Sequence, residues 1–549
     1  ERRRKNFPQL LYREERIYNH RMRCQFFQKV YLLFSLRVIK YNVISKSGQN
    51  GKQDGKEMNI SKEIRDAAED AESALGEVFA DIERVSRICT ERMLDAFSEY
   101  RVSEAMFAPS TGYGYGDFGR DTTDLITARV FGAEAAFCRP QIISGTHALT
   151  VALFGLLRPG DVLIYATGTP YDTLRPVIGI EGENMGSLRE FGVTYDEVDL
   201  TPEGFVNLSA LADKLDEYGE RVKVVAFQRS KGYASRRTLS AEEIGEACRF
   251  VKENSRAVRT FTFVDNCYGE FTETVEPCSL GADIIVGSLI KNAGGGMADI
   301  GGYIAGTHDA VELCGYRLSC PGVGLEAGAS LGQTRNILKG FFYAPHTVAE
   351  ALKTAHLAAY LFSEAGFSVN PAPFETRYDI IQAITLGSGD ALVGFCRGIQ
   401  SASPVDSHVS PEPWAMSGYA DPVVMAAGAF VGGASIELSA SDARAVYGFH
   451  AGRTYIRECA ARNNGGTRKG TRTELNVRSE KSALRRTGER KEYEKVYLYG
   501  SGASCRINDF CRMLRSRNTL GDDRCHRYPG YNRRIRRKRE DNGEHGEHG

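Results

Sequence analysis

The chain has no net charge: 70 lysines and arginines balance 70 aspartates and glutamates over 549 residues. The sum alone therefore directs it toward neither nucleic acid nor a membrane surface. It also lacks a long apolar run. The nearest, Val30 to Leu36, falls far short of the roughly 18 to 20 residues that span a bilayer, and it lacks the small-residue cleavage site of a signal peptide. The 13 cysteines are odd in number and form no CxxC pair and no zinc-ligand spacing. They read as reduced thiols of a cytoplasmic protein, with no metal site.

What is present is unevenly spread. Residues 1–57 and 441–549 are basic, whereas the stretch between them is acidic. Residues 1–57 start at Glu1, are rich in arginine and aromatic side chains and show no sustained period. We expect them to be a non-native or disordered basic extension, with a natural start at Met58. From there Ser61 is placed to cap a helical pattern through Ala67, Ala71, Leu75, Val78 and Ile82, so residues 58–110 read as an N-terminal helical segment.

The central stretch is organised around Ile284 to Gly296, an apolar run that closes in Ser288, Leu289, Ile290 and Lys291 and then three consecutive glycines. Glycines let a second group approach the backbone closely. Upstream, Phe261 to Val264 is a second apolar run ending in Asp265. A buried lysine loses part of its basicity and can form a Schiff base with a carbonyl. A strand-end aspartate about two dozen residues before a strand-end lysine points to pyridoxal phosphate, with lysine on the aldehyde and aspartate on the ring nitrogen.

Other segments supply further groups. Tyr113, Tyr115 and Arg120 lie in a glycine-rich loop as candidate anion donors. Ser144, Gly145 and Thr146 follow a strand and open a helix, where unpaired N–H groups and the helix dipole favour a phosphate. Tyr171, in the loop after the strand Asp161 to Tyr165, is placed to stack on a flat ring. Strand and helix alternate through 222–227 and 241–253, and Gly301 to Gly306 reads as a returning strand. The helix-rich stretch 324–363 is broken at Phe341 to His346. Residues 111–367 thus form a large, mainly parallel α/β domain. A smaller α+β domain, 368–440, carries expected strands at 378–384 and 391–396, with Arg377 as the candidate grip on a substrate carboxylate.

Residues 58–440 resemble the fold-type I pyridoxal-phosphate enzymes. More closely they are similar to the methionine gamma-lyase-like group described as aluminium-resistance or cystathionine beta-lyase-related proteins. The shared segments are YGYGDFGRD, SGTHAL, GTPYDTL, QRSKGY, VDNCYGEF, SLIKNAGGG, ETRYDIIQAI, SPEPW and GYADPVVMAAGAF. The resemblance implies that Lys291 holds the cofactor and shuttles protons, Asp265 keeps the pyridine nitrogen protonated and Tyr171 stacks on the ring. Ser144, Gly145, Thr146 and Ser288 would bind the phosphate, while Tyr113, Tyr115 and Arg120 would complete the neighbouring subunit's site in a homodimer or homotetramer. Arg377 keeps its assignment to the substrate; Arg229 has no role beyond a site-facing loop. The implied reaction is β- or γ-elimination on a sulfur amino acid, giving keto acid, ammonia and thiol; an aminotransferase or decarboxylase on the same fold is the alternative.

The resemblance stops at Ala440. The stretch His450 to Cys459 can be encoded so that a one-nucleotide offset reads Met-Gln-Gly-Gly-Leu-Thr-Tyr-Glu-Ser, the family's closing motif. A frameshift shortly after residue 440 is therefore expected, making 441–549 an out-of-frame or disordered basic tail. The small domain is then truncated, and a catalytically impaired relative is the competing expectation.

Overall fold

A computed structural model describes residues 62–232, 234, 236–386, 389–415, 422–426, 428–434, 438–441 and 495–498. The basic N-terminal stretch, Ser61 and most of the tail, including the 450–459 segment, lie outside the described residues. The periodic stretch after Met58 forms α1, Lys62–Ala74, and α2, Gly76–Glu99. Ala71, Leu75 and Phe79 bury together against Leu357, while Cys89, Met93 and Ala96 turn to the main core. One helical face thus seals a small cluster and the next face joins the large one.

The main sheet follows from α3 (Phe118–Phe131), β1 (Ala135–Arg139), α4 (Gly145–Leu156), β2 (Val162–Tyr165), the short α5 (Arg175–Ile178) and β3 (Thr194–Glu197). It continues through α6 (Leu208–Tyr218), β4 (Val222–Gln228), α7 (Ala241–Asn254), β5 (Phe261–Asp265), β6 (Ile284–Ser288), β7 (Gly302–Gly306) and α8 (His308–Leu318). The strand order is β1-β7-β6-β5-β4-β2-β3. All neighbours are parallel except β7, which runs antiparallel between β1 and β6. Alternate residues feed opposite faces: Val225, Val264 and Ile285 enter one apolar layer, and Val224, Phe263, Ile284 and Val286 the other. Burial on both faces is why these strands read as continuous apolar runs. The register sets Gln228 beside Asp265 and Asp265 beside Val286, so the polar ends of β4, β5 and β6 arrive at one edge.

α9, Thr334–Glu364, runs unbroken through Pro345, where the sequence suggested an interruption. A proline inside a helix costs about 3 kcal/mol. Here Phe341, Ala344, Pro345 and Val348 are all buried, and the Pro345 carbonyl accepts from Ser86 Oγ at 3.0 Å, so packing overrides the local penalty.

The smaller domain holds β8 (Ser368–Asn370), β9 (Gln382–Thr385), α10 (Gly389–Gln400), β10 (Val423–Ala426), β11 (Leu438–Ser441) and β12 (Lys495–Leu498). β9 pairs antiparallel with β8 and with β12, a segment of the tail, and β10 pairs antiparallel with β11. Two expectations are corrected. The strand at 378–384 is confined to 382–385, and 391–396 is helical. Leu392, Phe395, Cys396 and Ile399 are the buried positions, a spacing of three, four and seven that only a helix places on one side. Among the described residues no helix is long and apolar enough to cross a membrane.

Gly394 is an exposed position of α10 with open space where a Cβ would stand. Gly394→Ala should therefore stabilise the chain by about 0.5–1 kcal/mol, through helix propensity and a less free unfolded chain. Urea denaturation of the two proteins checks this; a loss of stability would contradict a helix at this point.

Candidate active site

The edge where β4, β5 and β6 end gathers most of the residues singled out above. Ser144 caps α4, its Oγ accepting from the His147 N–H at 3.1 Å. That leaves the first-turn amides of a 12-residue helix facing the edge. Thr146 Oγ1 lies 2.6 Å from Thr173 Oγ1. A Cβ at Gly145 would meet Ser288 Cβ at 3.4 Å and Cys267 Sγ at 3.5 Å, so the α4 start, the end of β6 and the turn after β5 close on one small cradle. Ser288 is fully buried and its Oγ has no partner among the described residues. A buried hydroxyl without a partner costs about 1–3 kcal/mol and marks a place where an acceptor is wanted.

Asp265 closes β5 in a buried position, with Oδ1 accepting from the Cys267 N–H at 3.2 Å. Burial pushes its carboxyl up to about 6, against the lowering influence of Cys267 and Lys291. Among the described residues, the charges of Lys291 and Arg236 act on this carboxylate without offsetting its burial. Lys291 follows β6; its Nζ is hydrogen-bonded to the Tyr268 hydroxyl and lies 4.4 Å from the centroid of that ring. Tyr171 reaches the same edge from the loop after β2. Its N–H donates to Gln228 Oε1 at 2.9 Å, and its ring would lie 3.2 Å from a Cβ at Gly232.

Three features differ from the reading of the sequence. Lys291 is half-buried, whereas Lys231 and Lys353 are buried. Lys231 Nζ donates to the Asn370 carbonyl and to Asn370 Oδ1, at 2.9 and 2.8 Å, and burial brings its amine down to about 7. The glycines after Lys291 admit the chain itself. A Cβ at Gly294 would overlap the Leu289 carbonyl, and one at Gly295 would overlap the Gly340 carbonyl of α9. Arg229, read as a site-facing residue, is fully buried behind the site. It pairs with Glu273 at 2.5 Å and Glu276 at 3.3 Å and donates to Asn266 Oδ1 at 2.8 Å.

The remaining candidates stand apart. Tyr113 and Tyr115 are 77% and 62% exposed and stack on each other, with ring centroids 5.6 Å apart, rather than on this chain's own edge. Arg120 is buried and spends its donors on Gly114 O, Gly328 O and Asp121. Arg377 is buried in the smaller domain, donating to Ile381 O at 3.3 Å and Gln382 Oε1 at 2.5 Å, with Nε unpartnered among the described residues. Burial lowers its pKa to about 10. Tyr268 and Gln228, which contact Lys291 and Tyr171, were not singled out from the sequence. Their only signal was their place in the segments VDNCYGEF and QRSKGY.

The methionine gamma-lyase family model matches residues 64–455. The chain belongs to that family. It is 48% identical over 378 residues to the uncharacterized protein YnbB of Bacillus subtilis, covering 69% of this chain and 89% of that one. It is similar in structure, with a TM-score of 0.66 and 48% identity, to a carbon-sulfur lyase involved in aluminum resistance from Clostridium novyi, over 69% of this chain and 89% of the other. A Bacillus cereus protein matches at a TM-score of 0.69 and 44% identity, over 73% of this chain and 99% of the other. The mainly parallel sheet with a smaller second domain is the fold-type I architecture anticipated from the sequence.

The raised carboxyl of Asp265 has a consequence for the protein alone. As pH rises, the unfolded chain gives up this proton near the ordinary value of 3.8 and the folded chain only near 6. Between those values the folded state binds more protons, so stability falls with rising pH, by about 3 kcal/mol for a shift of roughly two units. In cofactor-free Asp265→Asn that slope should disappear. Urea unfolding of both proteins from pH 4.5 to 7 measures it, and a constant stability difference across that range would contradict the assignment.

Proposed function

We propose that the chain is a pyridoxal-phosphate-dependent carbon–sulfur lyase. It acts on a sulfur amino acid of the methionine, cystathionine or cysteine type, and releases keto acid, ammonia and thiol by β- or γ-elimination. The observation that carries this reading is the meeting at one sheet edge of Lys291, the undercompensated Asp265 and the unpartnered Ser288 hydroxyl, beside the start of α4. The name of the Clostridium novyi relative, a carbon-sulfur lyase, supports the same class.

These residues fit the cofactor. The first-turn amides of α4 at Gly145 and Thr146, the Ser144 segment and the Ser288 hydroxyl would hold its phosphate. Asp265 would accept the ring N–H and regain a partner for its buried charge. Tyr171 offers a flat apolar surface. When bound, the cofactor supplies an electron-poor ring that takes up the electron pair left at the amino acid Cα.

The chain's own residues do the rest. Lys291 takes the Cα proton on Nζ and returns it later, as a general base and then a general acid. Elimination at Cβ needs one such removal; elimination at Cγ needs a second, from Cβ. The guanidinium of Arg377 is proposed to receive the substrate carboxylate through Nε, the nitrogen without a partner among the described residues. Tyr113 and Tyr115, exposed on a loop pinned by Arg120, are proposed to complete the site of a neighbouring copy in a homodimer or homotetramer.

Lys291→Ala should abolish both the visible absorbance of the cofactor-loaded protein and keto-acid release from cystathionine, methionine and cysteine. Surviving turnover would remove the reading. Ser288→Ala should leave the cofactor-free protein as stable as before or slightly more so, because its hydroxyl has no bond to lose among the described residues, while weakening pyridoxal phosphate binding about ten-fold. Unfolding curves and a cofactor titration separate the two effects, and unchanged affinity would move the phosphate elsewhere.

A further inference from the structure

Tyr268 has no part in the scheme above, yet three independent features converge on it. Its backbone is left-handed, with φ of 72°, a conformation that costs a non-glycine residue about 1 kcal/mol or more and persists only where the surroundings impose it. The surroundings are visible: Asn266 N–H donates to Val286 O at 3.0 Å and Gly269 N–H to Asn266 O at 3.0 Å, which fixes the turn on both sides of the tyrosine. Its ring packs against the core of the large domain and also against the apolar cluster of the smaller one. Its hydroxyl is hydrogen-bonded to Lys291 Nζ, which lies 4.4 Å from the ring centroid.

A lysine amine on a four-carbon stem carries about 2 kcal/mol of rotamer entropy. The half-buried Lys291 can therefore sample several positions unless something holds its end. Tyr268 provides that hold through its oxygen. The ring is itself held, because it is wedged between two cores on a backbone that cannot relax.

We propose that Tyr268 is a positioning residue for Lys291, fixing the amine where it meets an incoming aldehyde. The proposal rests on the cofactor reading given above, in that the aldehyde is pyridoxal phosphate. The expected gain is one of orientation, since a reacting atom held in place avoids the search that a free side chain must make. A tyrosine that only filled the seam between the domains would act through its ring alone, and phenylalanine would replace it fully.

The experiment uses the full chain, freed of cofactor, with Tyr268→Phe and Tyr268→Leu beside the parent. Pyridoxal phosphate is added, borohydride quenches the mixture at set times, and the modified Lys291 peptide is counted by mass spectrometry. Tyr268→Phe should capture the aldehyde about ten-fold more slowly, the effect of one lost hydrogen bond, with a melting temperature unchanged within a few degrees. A parallel sample of this variant left unquenched should absorb at a displaced visible wavelength. Capture at the parental rate would overturn the proposal.

A second readout needs no cofactor. After reductive methylation with carbon-13 formaldehyde, the Lys291 methyl signal, assigned by its absence in Lys291→Arg, should carry a ring-current shift in the parent that Tyr268→Leu loses. An unshifted parental signal would overturn the placement of the amine. A shifted signal in a parent that captures no pyridoxal phosphate would sink the cofactor reading and leave the Tyr268–Lys291 placement standing.

Discussion

A single buried guanidinium underlies the geometry of this edge. Arg229 leaves β4 directly after Gln228 and never reaches solvent. Its N–H donates to the Asp265 carbonyl at 3.1 Å, and its side chain joins Asn266, Glu273 and Glu276. Burial works against its charge, but the two glutamates outweigh that and hold its pKa above the ordinary arginine value. Glu273 also accepts from the Ala241 N–H at the start of α7, at 2.8 Å. The same ion group therefore ties β4, the turn after β5 and a flanking helix together. Gly269 is part of the device, since a Cβ there would come within 2.5 Å of the arginine side chain. Buried ion groups of this kind add little to net stability but are costly to break, about 3–5 kcal/mol for one missing partner. What the network provides is a defined position for the turn carrying Asp265, Cys267 and Tyr268.

A second polar group lies beyond it. The Tyr303 hydroxyl donates to Glu270 Oε1 at 2.8 Å, and Asn266 Nδ2 reaches Tyr303 at 3.3 Å. Burial pushes the Glu270 carboxyl up to about 8, so it is a neutral acid across much of the neutral range. The charges at the edge are thus backed by groups that are either paired or protonated. An arriving anion meets the helix amides and Lys291 without a competing carboxylate from this layer.

The large domain was legible because its strands are buried on both faces and end abruptly in polar residues. An apolar run followed by Asp265 or by Ser288 and Lys291 leaves little freedom in placing the element. The smaller domain was less so. Residues 391–396 are short and apolar with a glycine inside, and only the buried quartet Leu392, Phe395, Cys396 and Ile399 reveals a helix. Proline at 345 was a fair local signal overruled by tertiary packing. The arginines were the hardest to read. Arg120, Arg229 and Arg377 each sit in a segment that resembles a site, yet the structure spends most of their donors on carbonyls, carboxylates and two side-chain amides of the chain. Sequence shows that a guanidinium is near an edge, but which way it faces depends on contacts from residues far along the chain. Tyr268 was hidden for the same reason, since its significance lies in the partner of its hydroxyl.

α9 has a further meaning for the way this chain becomes a protein. Its first half, through Ile337, Leu338, Phe341 and Val348, belongs to the core of the large domain; Leu357 closes the cluster under α1; Ala358 and Phe362 line the core of the smaller domain. One 31-residue helix is shared property of three apolar groups. The boundary near residue 367 is therefore a boundary in shape and not in folding. Either lobe made alone would leave part of this helix uncovered, so the two lobes are expected to fold cooperatively, with the β4–β6 edge and the smaller domain completed together.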